Sequence, residues 1–124
     1  MKYVFSLITS CFILNSCYQV EQKCVDFKTG KFQMEQELDG VKEISVFSRD
    51  ENMQVETFRN VTDSSKIRWI NDCEMILEKI NPKSRIEKKG VHIKILQTDT
   101  EGYQFEYGFV GDSQKAKGYA KKIN

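Results

Sequence analysis

KIRWINDCEMILEKI, residues 66–80, holds the only tryptophan of the 124-residue chain and one of its four cysteines. As strands, the stretch predicts a β-hairpin, because Asn71 and Asp72 tolerate the positive φ angles that a two-residue turn needs. The apolar residues before and after the turn then share one face: Ile67, Trp69, Cys73, Met75 and Leu77.

A helix is the alternative for this stretch. Its apolar residues from Ile67 onward also fit a period near 3.6, and Asp63 or Ser64 could cap such a helix. However, Asn71 and Asp72 would then lie in mid-helix, where their side chains compete with the backbone for hydrogen bonds. We therefore favour the hairpin.

Short runs of alternating polarity, separated by turn residues, fill the rest of the chain from Cys24 onward. Asp39-Gly40 is the clearest hairpin turn. Residues 24–28 predict an extended run, residues 60–65 a polar loop, and residues 84–90 an irregular segment with room for one helical turn. About eight strands with hairpin-length connections predict an all-β fold. This is an antiparallel meander that forms a curved sheet or closes into a small up-and-down, lipocalin-like barrel.

The N-terminus has the build of a secretory signal peptide: Met1 and Lys2 precede residues 3–14, which are almost entirely apolar. Twelve residues are too few to cross about 30 Å of hydrocarbon as a helix, so we expect no transmembrane anchor. The sequence thus predicts export from the cytoplasm.

The end of this segment resembles a bacterial lipoprotein signal, in which an aliphatic residue and two mostly small residues precede a cysteine that becomes diacylated. Leu14, Ser16 and Cys17 match that pattern, and Asn15 departs from it. Cys11 fits a similar pattern but follows a shorter apolar run. An ordinary secreted protein cut near Cys17 is a further alternative.

Lipidation at Cys17 would divide the chain into a lipoprotein signal peptide (1–16), a lipidated tether (17–23) and a single β domain (24–124). Its acyl chains would hold the protein at the membrane without crossing it. Some surface-exported lipoproteins carry an acidic cluster directly after the cysteine, and residues 18–23 carry none. We therefore expect a membrane-anchored lipoprotein of the cell envelope that faces the periplasm.

The charge balance argues against nucleic acid as a partner. Removing residues 1–16 leaves 108 of the 124 residues and takes away one of the 19 basic residues, so 18 basic residues stand against 18 acidic ones. Nucleic-acid binding is driven by clustered Lys and Arg that neutralise phosphates. The partners we expect are the membrane, through the lipid, and a small apolar ligand or an envelope protein.

Cys24 and Cys73 remain once Cys11 is discarded and Cys17 is lipidated, and an even pair in an exported chain predicts a disulfide. A metal site is the alternative, but two cysteines and one histidine without a CxxC motif support it poorly. We expect no metal and no cofactor.

His92 is the only histidine, so a Ser-His-Asp or Cys-His catalytic site would have to include it. It alternates with Val91, Ile93 and Ile95, which puts it on the opposite, solvent-facing side of a strand. We therefore expect no catalytic residues and no enzymatic activity.

Four aromatics at period two, Tyr103, Phe105, Tyr107 and Phe109, form one face of a strand. They are explained either as core packing or as the wall of a ligand cavity. In the second case Trp69, Tyr103, Phe105 and Tyr107 are the candidate ligand-lining residues.

Four segments together carry a resemblance: CVDFKTGKF (24–32), IRWINDCEMIL (67–77), HIKIL (92–96) and FEYGFVGDSQKAKGYAKKIN (105–124). They are similar to a family of small exported or lipid-anchored proteins of flavobacteria and other Bacteroidetes, some of which carry the label DNA topoisomerase IV. A neutral chain of this size has no room for an ATPase or a DNA-cleavage domain, so that label is unsupported. The resemblance brings no catalytic or binding residue.

The opening Thr29-Gly30-Lys31-Phe32 resembles the first strand of lipocalins, with phenylalanine where tryptophan is usual, and this likeness concerns the fold alone. The expected function is that of a non-enzymatic binding or accessory module anchored by lipid in the envelope. The alternative is a carrier of a small apolar ligand in a lipocalin-like barrel.

Overall fold

The structure, a computed structural model, describes residues 22–124, which form eight antiparallel strands. The predicted signal peptide, the lipidation site Cys17 and most of the tether lie outside the described residues. The strands are β1 (Gly30–Leu38), β2 (Val41–Arg49), β3 (Met53–Phe58), β4 (Val61–Asn71), β5 (Glu74–Lys79), β6 (Val91–Thr98), β7 (Gly102–Phe109) and β8 (Ala116–Lys122).

Each strand pairs with the next along the chain, and β8 pairs with β1 to close the barrel. In that closing ladder Phe32 faces Lys122 and Met34 faces Ala120. The predicted all-β meander is confirmed, and of the two forms the sequence allowed, the closed barrel is the one observed. No helix within residues 22–124 is long and apolar enough to cross a membrane.

The hairpin at residues 66–80 is confirmed, with Trp69 opposite Met75 in the β4–β5 ladder. Its turn lies one residue later than predicted, at Asp72-Cys73, because the register shifts between Trp69 and Asn71. Asn71 then initiates the turn, since its side-chain oxygen accepts a hydrogen bond from the backbone N–H of Cys73 (2.8 Å).

The predicted polar loop at residues 60–65 is wrong for residues 61–65, which belong to β4. The chain turns earlier, at Arg59 and Asn60, whose φ angles of 49° and 63° form the tight connection from β3. The interior of the barrel is partly polar at this point, so Asp63 and Ser65 can face inward from a strand. Polarity alone therefore did not identify the loop.

The extended run predicted at residues 24–28 is also wrong, because a 3-10 helix spans Cys24–Phe27. Residues three apart eclipse one another in such a helix, which puts Cys24 and Phe27 together on its buried side. The helix covers one end of the barrel, which we call the closed end.

At the opposite end, which we call the mouth, one turn of helix α1 (Arg85–Lys88) interrupts the β5–β6 connection. The hydroxyl oxygen of Ser84 caps it by accepting a hydrogen bond from the backbone N–H of Glu87 (3.2 Å). The helical turn allowed for residues 84–90 is thus confirmed.

The predicted disulfide between Cys24 and Cys73 is confirmed, with 5.2 Å between the two Cα atoms. It joins the 3-10 helix to the β4–β5 turn and so fastens the helix over the closed end. The buried core lies directly beneath it: Cys24, Phe27, Phe32, Phe47, Ile95, Tyr103, Phe105 and Ala120.

Candidate ligand-binding site

The interior of the barrel is only partly filled by this core, and a cavity of about 410 Å³ extends from it toward the mouth. Its volume falls within the range of about 300 to 1,000 Å³ that small-molecule sites occupy. Most of its wall is apolar, and includes Leu77, Val91, Ile93, Phe105, Tyr107 and Phe109.

The aromatic face of β7 supplies one side of this wall. Tyr103, Phe105 and Tyr107, all candidate lining residues from the sequence, line the cavity together with Phe109. The ring centroids of neighbouring aromatics are 5.6 Å apart, from Tyr103 to Phe105 and from Phe105 to Tyr107. The row is therefore both core and cavity wall, since Tyr103 and Phe105 are buried while Tyr107 is half-buried.

Trp69, the fourth candidate, is not among the residues of this wall. Its indole N–H donates a hydrogen bond to the carbonyl oxygen of Glu51 (3.2 Å) in the β2–β3 connection. The ammonium of Lys28 lies 4.9 Å from the centre of its ring, a cation–π contact. The structure places Trp69 at the closed end, apart from the cavity.

Arg49 forms the floor of the cavity at the closed end and is only 4% exposed. Its guanidinium donates hydrogen bonds to the carbonyl oxygen of Phe27 (3.4 Å) and to the hydroxyl of Tyr103. The guanidinium carbon also lies 4.8 Å from the ring centre of Phe32 and 5.4 Å from that of Phe47. Aromatic faces and neutral acceptors therefore surround this cation.

Two polar atoms of the floor have no hydrogen-bond partner among residues 22–124: Nε of Arg49 and Oε1 of Gln54. The two residues face each other directly in the β2–β3 ladder, and both line the cavity. Gln54 is 6% exposed. Buried polar groups are almost always satisfied, so an unpaired donor beside an unpaired acceptor indicates a place for another polar group.

Charged side chains occupy the wall nearer the mouth. Lys79 forms ion pairs with Glu87 (3.0 Å) and Asp63 (3.8 Å), and its hydrogen bond to Glu87 raises its pKa. Burial, reinforced by the negative charge of Asp63, raises the pKa of Glu56, and Lys79 opposes that rise. Glu56 and Asp63 face each other across the β3–β4 ladder.

Glu87 connects helix α1 to this charged group. Its carboxylate accepts hydrogen bonds from the backbone N–H of Lys83 and from the ammonium of Lys79, and these lower its pKa. The helix is thus held at the mouth by a partly exposed ion pair, a type of contact that contributes little to stability.

Three apolar side chains at the mouth contribute to the cavity wall and are also exposed. Val61 is 60% exposed, Ile86 of helix α1 is 62% exposed, and Phe109 is 36% exposed. An apolar path therefore runs from the surface into the cavity, which an apolar molecule can follow.

His92 lies on the outer face of β6, as the alternation predicts. Its Nε2 is 3.0 Å from a carboxylate oxygen of Glu74, and this hydrogen bond lowers the pKa of Glu74. The pair is apart from the cavity wall. Within the described part of the chain, no three His, Cys, Asp or Glu side chains are grouped so that they could hold a metal ion.

The polar residues of the site were not predicted from the sequence: Arg49, Gln54, Glu56, Asp63 and Lys79. Strand parity carried the only signal for them, because Arg49 is two residues from Phe47 and Glu56 is two residues from Phe58, so each pair lies on the same face of its strand. Comparison of the chain with protein-family models, with curated proteins and with solved structures finds no match.

Proposed function

We propose that the protein binds one small, predominantly apolar molecule inside the barrel. The cavity of about 410 Å³, walled mostly by apolar side chains and reached through an apolar mouth, is the observation that carries the proposal. A small eight-stranded antiparallel barrel is compatible with a lipocalin-like binding module. We favour the carrier function over an accessory function without a ligand, because an accessory module does not need such a cavity.

The proposed function includes no reaction on the bound molecule. The His92–Glu74 pair, which is the histidine–carboxylate contact a hydrolytic mechanism would use, lies on the outside of the barrel. It therefore cannot reach a molecule held in the cavity. This placement supports a binding protein rather than an enzyme.

We further propose that a lipid on Cys17 anchors the protein in the envelope and that the barrel faces the periplasm. The side-chain amide of Gln22 donates a hydrogen bond to the carbonyl oxygen of Leu96 (3.0 Å), and the backbone N–H of Lys23 donates one to Thr98 (2.8 Å). The chain therefore joins the barrel at its closed end. An anchor preceding Gln22 would leave the mouth pointing away from the attachment point, open to ligand.

Native mass spectrometry of the full chain purified from its own envelope tests both proposals. The carrier function predicts a retained small molecule that dissociates on unfolding, and the anchor predicts a diacylglyceryl mass on Cys17. A chain that retains no molecule and binds no apolar dye would favour the accessory function, with an envelope protein as partner. An unlipidated Cys17 would remove the anchor but leave the cavity proposal intact. Membership of the Bacteroidetes family stays a prediction.

A further inference from the structure

The guanidinium of Arg49 is a buried cation that has no anionic partner in the described part of the chain. Among residues 22–124, no carboxylate lies within ion-pair distance of it. Taking a charge out of water is costly unless the charge is paired, and cation–π contacts with Phe32 and Phe47 offset only part of that cost. An anion in the cavity would supply the missing compensation.

The hydrogen-bonding groups around Arg49 are mainly donors. Its Nε has no acceptor among the described residues. Tyr103 uses its hydroxyl oxygen to accept from the guanidinium, which leaves the hydroxyl proton for an acceptor in the cavity. The side-chain amide of Gln54, opposite Arg49, can donate to an anion only through its NH2 group, so its unpaired acceptor Oε1 would have to turn away and the NH2 group toward the ligand. Together these groups match the oxygens of a carboxyl group, because the planar guanidinium fork fits a carboxylate and charge-assisted hydrogen bonds are the stronger ones.

The other charged groups of the cavity set the direction in which such a ligand would lie. Glu56 and Asp63 lie side by side nearer the mouth, and Lys79 is shared between Asp63 and Glu87. Negative charge is therefore repelled from that part of the wall and attracted to the floor. The apolar body of the ligand would then extend along the aliphatic and aromatic wall toward Val61, Ile86 and Phe109.

A single buried guanidinium compensates a single negative charge. A phosphate monoester carries nearly two charges at neutral pH and would leave one of them buried without a partner. A carboxylate carries one charge.

From these observations we infer that the ligand is an apolar monocarboxylic acid, held with its carboxylate on the floor formed by Arg49, Gln54 and Tyr103 and its apolar chain toward the mouth. This inference rests on the proposed function, because it names the class of molecule that the same cavity takes.

The test is a displacement titration of the full chain, freed of endogenous small molecules, with N-phenylnaphthylamine as the neutral reporter dye. Decanoic acid and its methyl ester have the same apolar chain and differ in the charged head. We expect the acid to bind about tenfold more tightly than the ester at neutral pH. The preference should disappear when the acid is protonated at low pH.

Tyr103→Phe keeps the ring and removes the hydroxyl, so it should weaken binding of the acid more than binding of the ester and thereby reduce the preference for the acid. Gln54→Leu introduces an apolar side chain of similar length and should also reduce the preference for the acid. Arg49→Met should abolish the preference for the acid. If Arg49→Met does not fold, Tyr103→Phe and Gln54→Leu test whether the floor binds the carboxylate. Tyr119→Phe removes a hydroxyl that bonds Asp99 on the outer surface and serves as the matched control.

Equal affinities for acid and ester in the natural protein would overturn the inference, and the unpaired atoms of the floor would then hold water only. The proposed function would survive that result. If neither the dye nor either decanoyl compound binds, the proposed function itself fails. The two failures are therefore distinguishable.

Discussion

Arg49 on β2 and Tyr103 on β7 are hydrogen-bonded to each other across the interior of the barrel, between strands that are not neighbours in the sheet. The bond joins opposite parts of the wall directly beneath the 3-10 helix, whose Phe27 carbonyl accepts from the same guanidinium. Burial raises the pKa of Tyr103, and the charge of Arg49 opposes that rise. The closed end is therefore fastened by a polar contact inside an aromatic core.

Replacing Tyr103 by Phe should lower the free energy of unfolding by about 1 to 3 kcal/mol, because one donor of the buried guanidinium loses its acceptor. Urea unfolding followed by far-UV circular dichroism measures the change. Tyr119→Phe, at an exposed position, should lower the free energy of unfolding by less than Tyr103→Phe does. If the two variants lose the same free energy of unfolding, the Arg49–Tyr103 hydrogen bond stabilises the fold no more than an exposed one does.

Breaking the Cys24–Cys73 disulfide should lower the free energy of unfolding by about 4 kcal/mol, because the bridge closes a loop of about 50 residues and so restricts the unfolded chain. The comparison is between the oxidised protein and Cys24→Ser/Cys73→Ser in urea. Reductant should shift the midpoint of the natural protein and leave that of the double variant unchanged. Identical midpoints for the oxidised protein and the variant would contradict the stabilising role.

Glu56→Gln should stabilise the protein at neutral pH. Burial raises the pKa of Glu56 above its usual value of 4.5, so the folded protein binds more protons than the unfolded chain just above that pH. The stability of the natural protein consequently falls as the pH rises from 4.5 through the raised pKa, and the variant escapes this loss. Below 4.5 the difference between the two proteins should vanish.

Urea unfolding across that pH range gives the two stability curves. Glu37→Gln, which removes one negative charge at an exposed position of β1, is the matched control. A lower stability of Glu56→Gln at neutral pH would mean that the attraction between Glu56 and Lys79 outweighs the cost of burial.

The fold could be predicted because its determinants are local. Asp39-Gly40 and the turn that Asn71 initiates at Asp72-Cys73 separate runs of alternating polarity, and such runs with short connections leave few arrangements other than a meander. The disulfide was predicted from the two cysteines that remain if the chain is exported and Cys17 is lipidated. Closure of the barrel could not be predicted from local sequence, because it depends on the pairing of β1 with β8, which lie at opposite ends of the described chain.

The site was harder to predict because, in two strands, polar residues face the interior and apolar residues face solvent, the reverse of the usual alternation. In β3 the inward face carries Gln54, Glu56 and Phe58, whereas Val55 is 36% exposed. In β2 the inward face carries Phe47 and Arg49, and Ile44 is exposed. Polar residues can face inward here because a cavity and internal ion pairs receive them, and these partners come from strands distant in sequence.

The most direct test of the cavity is a fluorescence titration with N-phenylnaphthylamine. The dye itself is excited, and not tryptophan side chains of the protein. The account predicts saturable binding of one dye molecule per chain, weakened about tenfold or more by Leu77→Trp/Ile93→Trp, which narrows the cavity from β5 and β6. The matched control, Ile44→Trp/Val55→Trp, adds the same bulk on the outer face and should bind as the natural protein does. Equal binding by all three folded proteins, or no binding by the natural protein, would contradict the account.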